Sequence, residues 1–244
     1  MSKYCITLTW DDAPHLEDSV KTELLASIPP YQRDARSKGI PSLGSGAVYP
    51  IPQSEIIIPG FAIPEHWPRC FAMDVGWKKT AVVWGARDPD TGTVYLYEEY
   101  YRGQAEPPVH AAAVIARGDW IPGVIDPAAR GRSQIDGRNL ITLYTEQGLN
   151  LEYADNSVDA GIYATWLMFS KGQLKVFESL TNWANELRTY CRDEHGRVVK
   201  EYDHLMDCMR YLVLSGMDIM RVNPNIKSSK HANESHGALT WLSR

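Results

Sequence analysis

Apolar and polar positions fall into short, well-marked runs in the middle of the chain. Cys70-Phe71-Ala72-Met73-Asp74 is an apolar run that ends in an acid. Thr80-Ala81-Val82-Val83-Trp84-Gly85 is a second run, and Thr93 to Tyr101 is a third. Between the last two, Asp88-Pro89-Asp90-Thr91-Gly92 has turn chemistry. Strands of this length with tight connections predict a three-stranded antiparallel meander. The pattern then changes. Pro107 to Arg117 reads as a helix, Ile121 to Asp126 as a strand that again ends in an acid, Asn139 to Gln147 as a helix and Leu149 to Tyr153 as a strand. Val158 to Ser170 and Leu180 to Cys191 are predicted helices, with Leu174-Lys175-Val176-Phe177 between them. Asp193 to Arg197 reads as a hairpin turn between two polar strands. Asp203 to Gly216 is a last helix with Leu205, Met206, Met209, Leu212 and Val213 on one face.

The first 68 residues read differently. Ile6 to Trp10 alternates and predicts a strand, Asp11 to Pro14 a turn or helix start, and Ser19 to Ser27 a short helix. From Gly39 onward, Pro41, Pro50, Pro52, Pro59, Pro64 and Pro68 break regular helices. This stretch is expected to be an extended arm on the body, with Ile56-Ile57-Ile58 as a strand. Three segments follow: residues 1–68 as linker and arm, 69–217 as one α/β domain, and 218–244 as a flexible tail. A meander followed by alternating helices and strands predicts a mixed sheet with helices on both faces.

Composition narrows the classes. The 244 residues are 44% hydrophobic and 23% charged, enough to bury a full core without cross-links. Cys5, Cys70, Cys191 and Cys208 are far apart and form no Cys-x-x-Cys pair, so they read as reduced thiols. No apolar run approaches the roughly 18 residues of a membrane helix, and the N-terminus lacks a signal-peptide core. A net charge of -5, from 25 basic and 30 acidic residues, argues against coating nucleic acid by bulk attraction. It does not argue against a nuclease, whose site collects carboxylates that bound cations offset. No His-x-x-x-His pair and no Gly-x-Ser-x-Gly elbow occurs, which removes support for a zinc hydrolase or an acyl hydrolase.

Asp74 and Asp126 share one situation, each ending an apolar strand before a loop. That geometry points a carboxylate at the sheet rim, where ligands bind in open α/β folds. Two converging carboxylates repel unless one is protonated or a cation lies between them. Oxygen-only ligands suit Mg2+ or Mn2+. The last helix offers Asp203 and Asp207, one turn apart, with His204 beside them. Asp74, Asp126 and Asp207 together supply the three carboxylates a pair of metal ions needs to hydrolyse a phosphodiester. Taken singly, each acid is also an ordinary turn residue or cap, and Asp203 is as simply an N-cap as a ligand.

These residues resemble the nuclease domain of the large terminase subunit of tailed bacteriophages, the protein that packages viral DNA. Met73-Asp74-Val75-Gly76, Val124-Ile125-Asp126-Pro127 and Asp203-His204-Leu205-Met206-Asp207-Cys208-Met209-Arg210-Tyr211 resemble its three acidic motifs, the last being the most specific. Leu8 to Leu16 resembles the end of that family's motor domain and its linker; Tyr31 to Pro41 and Gly44 to Pro50 resemble the following arm. The resemblance runs from Thr7 to Gly216. It implies a ribonuclease H-like fold and a metal-dependent endonuclease that cuts concatemeric double-stranded DNA with little sequence preference. It implies Asp74, Asp126 and Asp207 as catalytic metal ligands for two Mg2+ or Mn2+ ions, assisted by Asp203 and His204. It further implies a terminase small subunit, a portal ring and an ATPase domain as partners, no membrane, and a place of action at the procapsid in the host cytoplasm. The family's P-loop, Gly-x-x-x-x-Gly-Lys-[Ser/Thr], is absent, so the chain is expected to be a C-terminal portion that cannot translocate DNA alone.

The loop after Asp126 carries Arg130, Arg132 and Arg138, and Lys78 and Lys79 follow Asp74. As a set beside the acids, these cations are expected to hold phosphates without reading sequence, although each alone is an ordinary solvated residue. Arg192, Arg197 and Lys200 around the predicted hairpin form a weaker second set. Trp77 sits in the loop beside Asp74 and is expected to pack, with stacking or shielding as the alternative. Two other functions remain open. Asp-x-Gly before a meander also opens actin-like and sugar kinases, with Asp90-Thr91-Gly92 and Asp159-Ala160-Gly161 as candidate second triplets. The other is a non-catalytic module that docks on DNA or the portal.

Overall fold

The structure is a computed structural model that describes residues 9–13, 15–27, 37–38, 46–131, 139–193 and 195–225. Its centre is a seven-stranded mixed sheet. The strands are β1 (Ile57–Ile58), β2 (Arg69–Asp74), β3 (Thr80–Arg87), β4 (Val94–Arg102), β5 (Gly123–Ile125), β6 (Leu151–Tyr153) and β7 (Leu174–Phe177). Their order across the sheet is β1-β7-β4-β3-β2-β5-β6. β3 runs antiparallel to both β2 and β4, and the remaining neighbours pair in parallel. The meander and the two following parallel strands are therefore the expected ribonuclease H-like arrangement.

The helices are α1 (Asp18–Ser27), α2 (Gln53–Ile56), α3 (Pro107–Ile115), α4 (Leu140–Glu146), α5 (Val158–Ser170), α6 (Thr181–Thr189), α7 (His204–Tyr211) and α8 (Met217–Ile219). Strand alternation divides the core into two. Cys70, Ala72, Ala81 and Val83 face one way and meet Ile162 and Phe169 of α5, Trp183 of α6 and Leu205 to Met209 of α7. Phe71, Met73, Val82 and Trp84 face the other way and meet Ala111 and Val114 of α3 and Tyr144 of α4. A central strand buried on both faces must be apolar throughout, which is why β2 and β3 read as unbroken runs. Gly123 permits the close approach of β5: a Cβ there would stand 2.2 Å from the Phe71 ring.

Three expectations are corrected and one strand is added. Trp10–Asp12 is a 3-10 turn rather than the end of a strand, and residues 6–8 lie outside the described residues. Leu174–Phe177, left without an assigned element by its sequence, is a strand lying between β4 and the edge strand Ile57–Ile58, which forms where expected. Around Asp193 to Arg197, among the described residues, the turn is closed by one antiparallel bridge, Arg192 to Val198, and by the Asp193 amide donating to the Arg197 carbonyl and the Val199 amide to the Cys191 carbonyl, without extended strands on its flanks. The last helix passes into a π-helical turn at Leu212–Gly216, and it is buried around its circumference at Leu205, Met206, Cys208, Met209, Arg210 and Tyr211 rather than on one face.

The arm is anchored by aromatic contacts. Phe61 packs against Trp67, Tyr95 and Phe177, and Tyr49 stacks on Tyr190. Past α8, Arg221 pairs with Arg69 of β2. Among the described residues, no helix is long and apolar enough to cross a membrane. Cys70, Cys191 and Cys208 are free thiols.

Candidate functional site

The C-terminal ends of β2 and β5 build one side of the site. Met73 pairs with Ile125 in the parallel register, so Asp74 and Asp126 leave the sheet as neighbours. The Asp126 amide donates to the Met73 carbonyl at 3.1 Å, which fixes the second acid beside the first. Asp126 Oδ1 accepts from the Ala128 amide at 3.0 Å and caps the short turn Pro127–Arg130.

The other side is α7. Its first residue, His204, lies with Nδ1 2.7 Å from Asp74 Oδ2. One turn on, Asp207 faces the same rim. Its Oδ1 accepts from Arg210 Nη2 at 2.8 Å, and its Oδ2 lies 3.3 Å from Lys200 Nζ. Lys200 also lies 3.3 Å from Asp203 Oδ2. The carboxyl of Asp74 is pushed up by burial and further up by the negative charges of Asp126 and Asp207, against the opposing pull of His204. Asp207, Asp126 and Asp74 all push up the buried hydroxyl of Tyr211, for which burial is the larger cause. Asp74 at the end of β2 thus has two charged neighbours, Asp126 just past β5 and Asp207 on α7. Among the described residues, no three acids, histidines or cysteines stand as a ready metal cage. Asp74 is held instead by the His204 imidazole, and Asp207 by Arg210 and Lys200.

Arg210 was not foreseen as a partner. Its side chain is fully buried, donates to Asp207 and to Asn156 Oδ1 at 3.2 Å, and lies 4.8 Å over the Tyr211 ring. Tyr211 donates to the same Asn156 oxygen at 3.3 Å. Room for Arg210 comes from Gly161 of α5, where a Cβ would stand 2.2 Å from Arg210 Cγ. The triplet Asp159-Ala160-Gly161 is therefore helix packing and no phosphate loop. Asp90-Thr91-Gly92 is a turn tied to Asp88, which accepts from the Asp90 amide and the Thr91 hydroxyl. Both findings count against a sugar-kinase fold.

The end of α7 also departs from expectation. Asp203 occupies the N-cap position but makes no capping bond. Glu186 of α6 takes that role: its Oε2 accepts from the Leu205 amide at 2.6 Å and the Met206 amide at 3.3 Å. Burial pushes the Glu186 carboxyl up to about 7, partly offset by the Tyr101 hydroxyl and these two amides. The only sequence signal for it is an acid three residues after Trp183 on the buried side of α6.

The expected phosphate-holding residues divide. Arg130 ends the turn that Asp126 caps and lies 4.3 Å over the Tyr153 ring. Lys79 lies 4.2 Å over the Tyr101 ring, and Lys78 is exposed beside it. Arg132 and Arg138 lie outside the described residues. Lys200, grouped with the hairpin by sequence, belongs instead with the acids. Arg192 donates to the Gly196 carbonyl at 2.8 Å and so closes the turn. Trp77 is 64% exposed rather than packed, on the rim of a 260 Å³ cleft that Gly76, Thr80, His110 and Tyr144 also line.

Comparison with known proteins agrees with this fold. Residues 72–215 match the family described as the terminase RNaseH-like domain. The large terminase subunits of Salmonella phage P22 and Enterobacteria phage LP7 are each 30% identical over 221 residues, covering 86% of this chain. That alignment covers 44% of the P22 protein and 46% of the LP7 protein, so the chain spans under half the length of these relatives. The solved P22 large terminase nuclease domain has a TM-score of 0.67 and 27% identity, over 73% of this chain and 96% of that one.

Proposed function

Because the chain belongs to the terminase RNaseH-like domain family, we propose that it is a metal-dependent endonuclease that cuts concatemeric double-stranded viral DNA with little sequence preference. The observation that supports this reading is geometric: Asp74 and Asp126 leave adjoining parallel strands side by side, and His204 of α7 reaches Asp74 at 2.7 Å with Asp207 one turn further on the same helix. Burying like charges this closely is costly unless cations join them. The donor set is all carboxylate, which fits Mg2+ or Mn2+. Asp74, Asp126 and Asp207 would hold the ions, with Asp203 and His204 adjoining. When bound, a pair of such ions supplies an activated water and stabilises the leaving oxygen of a phosphodiester.

The chain's own residues prepare that state. Arg210 fixes one oxygen of Asp207 and leaves the other to Lys200, an exchangeable and half-exposed partner. His204 orients Asp74 through Nδ1. Arg130, Lys78 and Lys79 border the same rim and hold backbone phosphates, which positions a duplex without reading its bases. Arg132 and Arg138 join them in this reading. The full protein would act with an ATPase domain, a terminase small subunit and a portal ring, at the procapsid in the host cytoplasm. Conversion of supercoiled plasmid to nicked and linear forms in Mn2+ tests the proposal. The wild-type chain is expected to cut and Asp126→Ala to lose that activity; equal cutting by both overturns it.

A further inference from the structure

The first amides of a helix have no partner within it and must find one elsewhere. In α7 the residue placed to supply one, Asp203, spends its carboxylate on Lys200. The Leu205 and Met206 amides bond instead to Glu186, which is 4% exposed and comes from another helix. α6 is tethered in the same way. Glu99 of β4 accepts from the Asn182 and Trp183 amides, both at 2.9 Å, and from Asn182 Nδ2 at 2.8 Å. A continuous chain of carboxylate-to-amide contacts thus runs from the sheet through α6 to the start of α7. His204 and Asp207 lie on either side of the two amides that Glu186 holds.

We propose that Glu186 is a positioning residue of the nuclease site: by anchoring the first turn of α7 it holds His204 and Asp207 opposite Asp74 and Asp126. The N-cap residue itself does not do this, because Asp203 makes no capping bond. A shift of the α7 start by one bond length moves both side chains relative to the strand ends, since they ride on one rigid turn. Glu186 contacts no metal or DNA in this assignment and acts only through α7. The assignment rests on the reading of the acids as a metal site, and its test separates the two.

Mn2+ binding to the full chain is measured by calorimetry for wild type, Glu186→Ala, Glu186→Gln and Glu186→Asp, with amide exchange followed at Leu205 and Met206. Glutamine keeps an acceptor at the same reach and is expected to bind Mn2+ within a few-fold of wild type. Alanine, with no acceptor, and aspartate, too short for both amides, are expected to bind about tenfold more weakly, the usual loss when a group that orients ligands is removed. If alanine does not fold, aspartate carries the comparison. A core substitution on the opposite face of the sheet, Leu149→Ala, controls for stability: it lowers the melting temperature without moving Mn2+ affinity. Wild-type affinity in the folded alanine or aspartate variant overturns the assignment, because a purely structural cap would lower stability alone. If wild type itself binds no Mn2+, the metal reading fails, and exchange decides the anchoring. Faster exchange confined to Leu205 and Met206 in the variants supports it, and unchanged exchange overturns it.

Discussion

His204 Nδ1 stands 2.7 Å from Asp74 Oδ2, across 130 residues of sequence. The contact joins α7 to the end of β2, and it raises the affinity of the imidazole for a proton against the opposing effect of burial. A histidine whose folded-state pKa lies above its unfolded value of 6.5 contributes stability that is fully present below 6.5 and is lost as pH rises through the raised value. The melting temperature of wild type relative to His204→Asn is therefore expected to fall as pH climbs above 6.5 in metal-free buffer. A gap that widens with pH contradicts the pairing.

Glu186 titrates in a different window. Its carboxyl moves from 4.5 to about 7 on folding because burial disfavours the charged form. The sign is that of a raised acid: stability is fully present below 4.5 and is lost as pH rises toward 7, by on the order of 3 kcal/mol. Glu186→Gln removes this loss. Chemical denaturation at several pH values is expected to show the variant gaining on wild type between pH 4.5 and 7, with the gap constant above that range.

Gly161 is required by a side chain on another helix. Its missing Cβ leaves the space filled by Arg210, which in turn holds Asp207. Gly161→Ala forces Arg210 to move, at a cost of about 1–3 kcal/mol for an overpacked site. The measured loss of stability is expected to accompany weaker Mn2+ binding. Gly92→Ala would be a poor comparison because its φ is +72°, so Ala160→Gly, in the same helix, serves as the control for helix propensity.

Arg130 is stacked on Tyr153 at the end of the Asp126 turn and is expected to contact phosphate. Replacing it by alanine should weaken binding to all duplex sequences alike and reduce the slope of log affinity against log salt by about 1. Loss of preference for one sequence, with an unchanged slope, would instead indicate base reading.

Much of this architecture was legible in the chain. Asp74 and Asp126 could be placed at a sheet rim because each closes an unbroken apolar run, and burial on both faces of β2 and β5 demands such runs. Asp207 was legible as an acid that packing of an apolar helix does not require. What escaped was set by partners far away in sequence. Arg210 looks like a surface residue until Gly161, on α5, is seen to make room for it. Glu186 looks like an ordinary helical acid until its two bonds to α7 are known. Asp203 has the identity of a cap but makes no capping bond, and Glu186 holds the first amides of α7 in its place. The apolar run at Ile57–Ile58 was legible as a strand, but the four residues Leu174–Phe177 carry too little periodicity to be distinguished from loop, and they become a strand by pairing with β1 and β4. The hairpin turn around Gly196 forms as expected, but its flanks pair only at the Arg192 to Val198 bridge and do not extend into strands.

The central claim is that Asp74, Asp126 and Asp207 share divalent ions. Anomalous diffraction from crystals soaked in Mn2+ tests it most directly. The account predicts one or two manganese peaks bonded to oxygens of these three aspartates, with Lys200 released from Asp207. Manganese bound elsewhere, or three aspartates still held only by His204, Arg210 and Lys200 at saturating Mn2+, would contradict it.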